Sequence, residues 1–385
     1  MTHNDSQKAD VHRGRLLYFY PENDSALAAD LANYTAPEAA QHLRLAGEAL
    51  PLWYDGAGDR VLLSGINGAW YDRMVADFGI TADVFDYDCQ GLTPEPWGWS
   101  RAVRSIYAAQ GMPAEKMPSD ADLERIRTLS SRLTSIDLSR HLLAACPFMA
   151  TTRALAVTDE ADLARELERR GSAIVKQPWS SSGRGVMDTR TLPAGQALRR
   201  AAGIIRRQGA VVVEDILSRT ADFALLFRAD AGRVSFSGVS LFNVNARYGY
   251  EGNLVGQQQT LRRILRHYIS ETQTADMVEA LQGILADMIG DAYTGPLGVD
   301  MMATADGPAV AELNLRNTMG HVCLTLGERL LEPDVLADYR VAPLAGAFTE
   351  PEYACRNGRL TAGTLSLTPR PRFFSFLLSV RPDRL

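Results

Sequence analysis

The segment LGVDMMATADGPAVAELNLRN, residues 297–317, constrains the fold of this chain more than any other stretch of its sequence. It is typical of two antiparallel strands joined by a tight turn. A three-residue loop at residues 305–307, with Gly307 supplying a positive φ, would place Asp300 directly opposite Glu312. The sequence therefore predicts a hairpin in which two carboxylates face each other across neighbouring strands.

Each strand of this hairpin has one polar face and one apolar face. Residues two apart share a strand face, so Glu312, Asn314 and Arg316 lie on one face together with Asp300. Directly opposed like charges destabilise a sheet unless something neutralises them. Two carboxylates and an amide oxygen are hard oxygen ligands that suit Mg²⁺. A magnesium site is one interpretation, and a solvent-facing charged face with an arginine between the acids is the other.

A second informative segment is SAIVKQPWSSSGRGVM, residues 172–187, in which a short apolar strand ends at Lys176 and continues into a serine- and glycine-rich loop. Such a loop offers backbone N–H groups and hydroxyls at close range, which is how proteins commonly bind phosphate. Lys176 and Arg184 add positive charge that complements a polyphosphate. The same composition also occurs in ordinary surface turns.

Length and charge limit the remaining alternatives. A chain of 385 residues exceeds what one hydrophobic core usually serves, so two or three domains are expected. Its formal charge of −6 argues against nucleic acid or an anionic membrane as the main partner. No apolar run approaches the ~20 residues of a membrane span, and the polar first residues lack the apolar stretch of a secretory signal, so we expect a cytoplasmic protein.

Other familiar sites are missing from the sequence. The four cysteines are far apart and form no CxxC pair, which argues against a zinc site or a disulfide framework. There is no GxxxxGK[ST] motif, no GxGxxG after the first strand, no kinase HRD and DFG set and no GxSxG.

Alternating strand and helix patterns predict an α/β (α+β) protein with several units. We expect a disordered tail at 1–13, a small α/β domain at 14–110, and linker helices with a small lobe at 111–215. A larger lobe follows at 216–345, and a β-rich C-terminal region at 346–385 packs on it.

Four segments in order, AIVKQPWSSSGRGV, VVVED, LGVDMM and AELNLRN, resemble the ATP-grasp superfamily. Its members include D-alanyl-D-alanine ligase, glutathione synthetase, biotin carboxylase and carbamoyl phosphate synthetase. The resemblance covers roughly residues 125–330, about half of the chain. It implies the ATP-grasp fold, in which two α+β lobes grip ATP, preceded here by a small α/β pre-ATP-grasp domain.

The resemblance also implies roles for individual residues around ATP. Lys176 would contact the α-phosphate and the adenine side, and Asp222 the ribose hydroxyls. Arg132 stands where the family has its first lysine. The loop that would close over the β- and γ-phosphates consists of Ser180, Ser181, Ser182, Gly183, Arg184 and Gly185, and the adenine edge would be held by Glu214, Asp215 and Ile216.

For the reacting end of ATP, the resemblance implies Asp300, Glu312 and Asn314 as magnesium ligands, which agrees with the hairpin. Arg316 would stabilise the transferring phosphoryl group or the substrate, so that Arg316, Lys176 and Arg184 are the predicted catalytic residues.

The substrate site is predicted from segments whose sequence patterns are less specific. The stretch SLFNVNARYGYEGN lies where family members vary for their substrate, and its candidate residues are Asn243, Asn245, Arg247, Tyr248 and Asn253. After the first strand, Glu22, Asn23 and Asp24 are candidates for part of the acceptor site, although turn and helix-capping chemistry explains them as well. Trp97 and Trp99, at a domain junction, are more typical of packing than of ligand contact.

These patterns predict a ligase that uses ATP and Mg²⁺ to activate a substrate carboxylate as an acyl phosphate and join it to an amine. An ATP-dependent phosphotransferase and a non-catalytic nucleotide-binding protein remain as alternatives. Both partners would be small molecules, and by analogy with the family the protein would form a homodimer.

Overall fold

The computed structural model describes residues 14–84, 89, 91–180, 183–193, 195–344, 346, 349–369 and 373–382. The predicted N-terminal tail and two residues of the predicted phosphate loop, Ser181 and Ser182, lie outside the described residues.

The N-terminal unit is built on a parallel three-stranded sheet of order β2-β1-β3. Helices between the strands return the chain so that the strands run in the same direction. Its strands are β1 (Arg15–Tyr18), β2 (Arg60–Val61) and β3 (Thr93–Pro96), and its helices are α1 (Asn23–Ala29), α2 (Glu38–Gly47), α3 (Gly68–Phe78) and α4 (Arg101–Ala109). Trp97 and Trp99 are buried here against Phe19 and Tyr107, with ring centroids 4.9 and 5.6 Å apart.

Two linker helices lead into the small lobe, α5 (Asp120–Leu129) and α6 (Arg132–Ala145). The start of α5 is fixed by a capping box, in which Ser119 and Asp122 bond each other's backbone N–H. The small lobe has an antiparallel sheet of order β4-β7-β5-β6. Its elements are β4 (Leu155–Val157), α7 (Glu160–Arg170), β5 (Ile174–Lys176), β6 (Val186–Asp188), α8 (Gln196–Gln208) and β7 (Val211–Glu214).

The remainder of the chain forms one nine-stranded sheet of order β12-β11-β8-β9-β10-β13-β16-β15-β14. Its strands are β8 (Arg219–Asp230), β9 (Arg233–Val244), β10 (Tyr250–Val255), β11 (Gly295–Thr304), β12 (Gly307–Asn314), β13 (Ala337–Pro343), β14 (Tyr353–Arg356), β15 (Arg359–Ser366) and β16 (Phe374–Val380), and its helices are α9 (Gln258–Leu265), α10 (Glu271–Ile289) and α11 (Met319–Leu330). The boundary predicted between residues 345 and 346 falls inside this sheet.

Hydrophobic packing divides the molecule differently from the sheets. One continuous core joins the N-terminal unit to the nine-stranded sheet, whereas the small lobe packs around a separate core that includes Leu163, Val175 and Val213. Glu95 of the N-terminal unit also pairs with Arg228 of β8 at 2.5 Å. The small lobe is therefore the part least tied to the rest by packing.

The turn of the β11–β12 hairpin differs from the prediction. Thr304 pairs with Gly307, so the loop has two residues, Ala305 and Asp306, rather than three. A β-bulge follows, because Met301 pairs with Val310 while Asp300 pairs with Glu312, and this leaves Ala311 without a cross-strand partner.

Gly307 is required by tertiary packing as well as by its φ of +118°. A Cβ atom at this position would lie 2.1 Å from the carbonyl oxygen of Phe148. The close approach of the Phe148 backbone is a tertiary contact that the hairpin's own sequence does not indicate.

No helix among the described residues is both long and apolar enough to cross a membrane.

Candidate active site

A cleft lies between the small lobe and the nine-stranded sheet, and the N-terminus of α11 lines its inner end. Strands β5, β6 and β7 supply one wall, and strands β8 to β12 supply the other. Most of the residues predicted to bind ATP, magnesium or substrate line this cleft.

Two opposed carboxylates lie in the cleft, and one of them, Asp300, is strongly perturbed by its surroundings. Asp300 pairs with Glu312 across the ladder, as predicted, and Asn314 Nδ2 donates a hydrogen bond to Asp300 Oδ2 at 3.0 Å. Burial, together with the nearby charge of Glu312, raises the pKa of Asp300 to about 7. A carboxylate held in this way favours a cation as its neighbour.

The donor set suits magnesium better than a transition metal. Two carboxylates and an amide oxygen are hard ligands, and Mg²⁺ usually completes its coordination with waters or phosphate oxygens. Within the described part of the chain, no three His, Cys, Asp or Glu side chains converge in a way that could hold a metal alone. Magnesium at Asp300 and Glu312 would complete its coordination with the Asn314 amide oxygen and with oxygens of water or of a ligand.

Lys176, at the end of β5, is buried and points into the cleft. Its Nζ forms an ion pair with Glu214 of β7 at 2.5 Å and donates to the carbonyl oxygen of Ala311 at 3.1 Å. The bulge in β12 frees that carbonyl from the ladder. Because an ammonium group has three donors, one remains for a ligand.

The serine- and glycine-rich loop lies against the opposite wall through Gly183. Its φ is +74°, and a Cβ atom there would lie 1.8 Å from the carbonyl oxygen of Tyr248. Gly185 is buried, and its carbonyl accepts from the N–H of Gln177 at 2.8 Å. The side chain of Arg184 is exposed and lies outside the cleft lining that the described residues form.

The outer end of the cleft is largely apolar. Ile174, Leu217, Met302 and Val310 line it, whereas the predicted Ile216 does not belong to the lining formed by described residues. Apolar walls of this kind suit a planar aromatic ring.

Glu214 and Asp215, at the end of β7, border this apolar region. The carboxylate of Asp215 is already bound, because Arg153 donates to it at 3.0 Å and Arg170 at 2.7 Å. These contacts fix the backbone at Asp215. A ligand in the cleft would then contact the main chain that follows β7 rather than the Asp215 carboxylate.

Asp222 lies on β8 next to Arg219, with a distance of 3.7 Å between Asp222 Oδ2 and Arg219 Nη1. Burial raises the pKa of Asp222. Arg219 was not predicted as a site residue. It stacks on the ring of Tyr248, 5.1 Å from the ring centroid, and so holds the β9–β10 turn at the cleft.

The five predicted substrate residues separate into two groups. Asn253 and Tyr248 line the cleft, whereas Asn243, Asn245 and Arg247 lie outside the lining formed by described residues. The alternation of β9 turns Asn243 away, because Phe242 and Val244 face the cleft. Asn245 instead stabilises its own turn, since its Oδ1 accepts from the N–H groups of Arg247 and Gly249, each at 2.9 Å.

At the inner end, Asn253 belongs to a buried polar network that sequence patterns do not reveal. Its Nδ2 donates to Ser240 Oγ at 2.8 Å, and its Oδ1 accepts from the hydroxyl of Tyr250. Thr318, Met319 and Gly320, at the start of α11, complete this end of the cleft. The network joins strands β9 and β10, and only its Asn253 was predicted.

Arg316 connects the cleft to the N-terminal unit. Its Nε and Nη2 donate to the carboxylate of Asp24, at 3.0 and 2.9 Å, and its Nη1 donates to the carbonyl oxygen of Asn317. A fork-to-fork pair of this kind fixes the guanidinium plane. Asp24, predicted as part of an acceptor site, therefore orients the arginine predicted to meet the phosphoryl group.

The two residues before Asp24 carry polar atoms without partners. Both side-chain polar atoms of Asn23, and Oε2 of Glu22, are buried and have no hydrogen-bond partner among the described residues. Arg44 pairs with Glu22 Oε1 at 2.8 Å, but burial still raises the pKa of Glu22 to about 7. Buried polar atoms of this kind are costly unless a ligand or water meets them.

Comparisons with known proteins identify the fold. No protein-family model matches this sequence, and no curated protein matches it. A biotin carboxylase from Campylobacter jejuni aligns over 97% of this chain and 88% of its own, with 12% identity and a TM-score of 0.51. The carboxyaminoimidazole ribonucleotide synthase of Aspergillus clavatus aligns over 96% of this chain and 94% of its own, with 13% identity and a TM-score of 0.47.

A third structure, N5-carboxyaminoimidazole synthetase from Staphylococcus aureus, aligns over 96% of this chain and 94% of its own, with 13% identity and a TM-score of 0.46. The likeness to the Campylobacter enzyme extends over nearly the whole chain, beyond the half that the sequence motifs cover. It confirms the predicted ATP-grasp fold.

Proposed function

We propose that this protein is an ATP- and Mg²⁺-dependent ligase that activates a substrate carboxylate as an acyl phosphate and joins it to an amine. The observation that carries the proposal is the opposed pair Asp300 and Glu312, which lies across one cleft from Lys176 and the serine–glycine loop. A bound nucleoside triphosphate requires cation ligands on one wall and, on the other, groups that donate hydrogen bonds to its phosphates.

The nucleotide would lie along the cleft with its base at the outer end. The apolar walls around Leu217 and Met302 suit adenine, and the main chain fixed by Asp215 would meet its polar edge. Asp222 would accept from the ribose hydroxyls. Lys176 and the loop would contact the phosphates. The Campylobacter biotin carboxylase was solved as a complex with an ATP compound, which supports a nucleotide in a cleft of this fold.

Asp300, Glu312 and Asn314 would hold the magnesium, which supplies charge neutralisation for the β- and γ-phosphates. The high pKa of Asp300 supports this assignment, because a nearby cation would relieve the repulsion between the two carboxylates. Lys176 would fix phosphate oxygens from the opposite wall. Positioning and electrostatics would then carry the reaction, with no covalent step on the protein.

At the inner end, one oxygen of the substrate carboxylate would attack the γ-phosphorus, and the bond to the β-phosphate oxygen would break to release ADP. Arg316, held in plane by Asp24, would face the phosphoryl group as its charge develops. The Asn253 and Tyr250 network would orient the carboxylate. An amine would next attack the acyl carbon and displace inorganic phosphate, losing one proton as the amide forms.

Hydroxylamine trapping tests the proposal. The protein is incubated with Mg²⁺, ATP, hydroxylamine and pools of small carboxylates, and hydroxamate and ADP are measured. We expect a hydroxamate from at least one pool. A phosphorylated product that resists hydroxylamine would instead establish a phosphotransferase, and nucleotide binding without any turnover would favour a non-catalytic protein.

Two matched variants connect that activity to the site. Glu312→Gln should reduce hydroxamate formation by roughly 10²-fold or more, because the neutral amide removes a charge from the cation site. Glu279→Gln changes an exposed glutamate of α10 in the same way and should leave the rate unchanged. Equal rates in the two variants would refute the assignment of Glu312.

A further inference from the structure

Arg132, the first residue of α6, uses its guanidinium to connect the two walls of the cleft. Its side chain is buried, with a relative exposure of 2%. Nη1 donates to the carbonyl oxygen of Gln177 and to Ser180 Oγ, and Nη2 donates to the carbonyl oxygen of Ser180 at 3.1 Å. Nη2 also donates to Glu312 Oε2 at 2.9 Å. Three bonds therefore go to the small lobe and one goes to the nine-stranded sheet.

The small-lobe partners of Arg132 form the stem that leads from β5 into the serine–glycine loop. The backbone N–H of Arg132 adds a further bond to this stem, because it donates to the carbonyl oxygen of Pro178 at 2.9 Å. The N–H of Gln177, in turn, donates across the loop to Gly185. The stem, residues 177–180, is thus bound to α6 by four hydrogen bonds. Helix α6 itself packs on β12, where Ser135 Oγ accepts from the N–H of Leu313 at 3.0 Å. The Arg132–Glu312 pair is the charged contact that joins this assembly to the candidate cation ligands.

At Glu312 the guanidinium has the charge and position of a counter-ion. A divalent cation bound to the same carboxylate would have to approach a positive charge that is already in contact with it, and like charges at this range repel strongly in a partly buried site. Cation binding and the Arg132–Glu312 bond therefore oppose each other. Because Arg132 is also bound to the stem, neutralising the charge of Glu312 would alter the hydrogen bonds of the stem through this one side chain.

We propose that Arg132 is a positioning residue that acts as the internal counter-ion of Glu312 and couples the occupancy of the cation site to the stem of the serine–glycine loop. The coupling rests on the proposed function for the cation at Glu312. When a cation binds, the charge of Glu312 is neutralised, the Arg132–Glu312 bond weakens, and the stem that the Arg132 guanidinium binds loosens. The separate hydrophobic core of the small lobe permits this loosening.

Two substitutions separate the charge of Arg132 from its shape. Arg132→Gln removes the charge, and we expect it to raise the affinity for Mn²⁺ in the absence of nucleotide by about tenfold or more, since the repulsion is gone. Arg132→Lys keeps the charge but lacks the planar fork that reaches the stem and Glu312 together. Its Mn²⁺ affinity should stay within about threefold of the wild-type value.

The test combines Mn²⁺ binding, followed by electron paramagnetic resonance, with hydrogen–deuterium exchange of a peptide covering residues 174–180. In the wild type, Mn²⁺ alone should increase deuterium uptake in this peptide. In both Arg132 variants uptake should already be high without metal and should not respond to it. Arg140→Gln, an exposed position on the same helix, should match the wild type in both measurements.

The outcomes distinguish this coupling from the proposed function. If Glu312→Gln binds Mn²⁺ as the wild type does, the assignment of the cation site is wrong. If Glu312→Gln loses Mn²⁺ but Arg132→Gln binds it no more tightly than the wild type, the counter-ion role of Arg132 is wrong and the cation site stands. A stem whose exchange responds to Mn²⁺ equally in the wild type and in both Arg132 variants overturns the coupling.

Discussion

Replacing Glu22 with glutamine should change how the stability of the protein depends on pH. The Glu22 side chain is fully buried, and burial raises its pKa from 4.5 to about 7. The folded state therefore holds this proton more tightly than the unfolded state, and the free energy of unfolding falls as the pH rises from about 4.5 to about 7. At about 1.4 kcal/mol per pKa unit, ionised Glu22 costs roughly 3 kcal/mol above pH 7.

Urea unfolding followed by tryptophan fluorescence at pH 5, 6, 7 and 8 measures this effect. The difference in unfolding free energy between the wild type and Glu22→Gln should change by about 2.5 kcal/mol from pH 5 to pH 8, with the wild type losing stability. Glu38→Gln is the control, because 86% of the Glu38 side chain is exposed, and its profile should run parallel to that of the wild type. If the Glu22→Gln profile also runs parallel to that of the wild type, the raised pKa of Glu22 is refuted.

Three further predictions concern the cleft. Asp24→Asn should destabilise the protein by about 3 kcal/mol because it leaves the Arg316 guanidinium buried without its partner, and a double-mutant cycle with Arg316→Met in urea should return a coupling energy above about 1 kcal/mol; additive effects would contradict the pair. Gly183→Ala should weaken MgATP binding, measured by calorimetry, by about tenfold or more, because its Cβ would overlap the Tyr248 carbonyl. Gly209→Ala, also at positive φ but in open space, should cost only about 1 kcal/mol of stability and leave binding unchanged, and equal affinities in the two variants would contradict the contact. MgADP at a hundred times its Kd should raise the unfolding free energy by about 2.7 kcal/mol, and a melting curve unmoved by MgADP would argue against the nucleotide site.

The pairing of Asp300 with Glu312 was predictable from sequence because it depends on short-range geometry. Alternation along β12 places Glu312 and Asn314 on one face, and antiparallel pairing brings Asp300 to the same place. The details of the turn were not predictable. The two-residue loop and the bulge at Ala311 offset each other, so that an incorrect loop length still gave the correct pair of facing carboxylates.

Residues whose environment comes from distant segments were harder to predict. The resemblance places Arg132 at the position of the family's first lysine, but it does not indicate that the neighbours of Arg132 come from the stem and from Glu312, 180 residues away. Asn243 and Asn245 were selected for their polarity in a loop, although strand alternation turns one away and turn formation occupies the other. Arg219 and Ser240 give no sequence signal at all, because only the folded sheet brings them to the cleft.

The N-terminal unit shows the same limit. The sequence suggested Glu22, Asn23 and Asp24 only as alternatives to ordinary turn residues. Their burial and the Asp24–Arg316 pair depend on a hydrophobic core shared between segments that are nearly 300 residues apart in the chain. No local pattern in the sequence encodes such a contact.

The continuous nine-stranded sheet has a consequence for anyone who wishes to recombine this protein with a relative. Strand β10, which carries Asn253, is paired on one side with β9 and on the other with β13, and β13 is followed in space by β16. With a crossover near residue 345, β13 would come from one parent and β16 from the other. The two strands would then have to form their backbone hydrogen bonds across that junction. Segment 219–380 is the smallest block that keeps the sheet intact, and exchanges of residues that line the cleft are better made as side-chain substitutions within it.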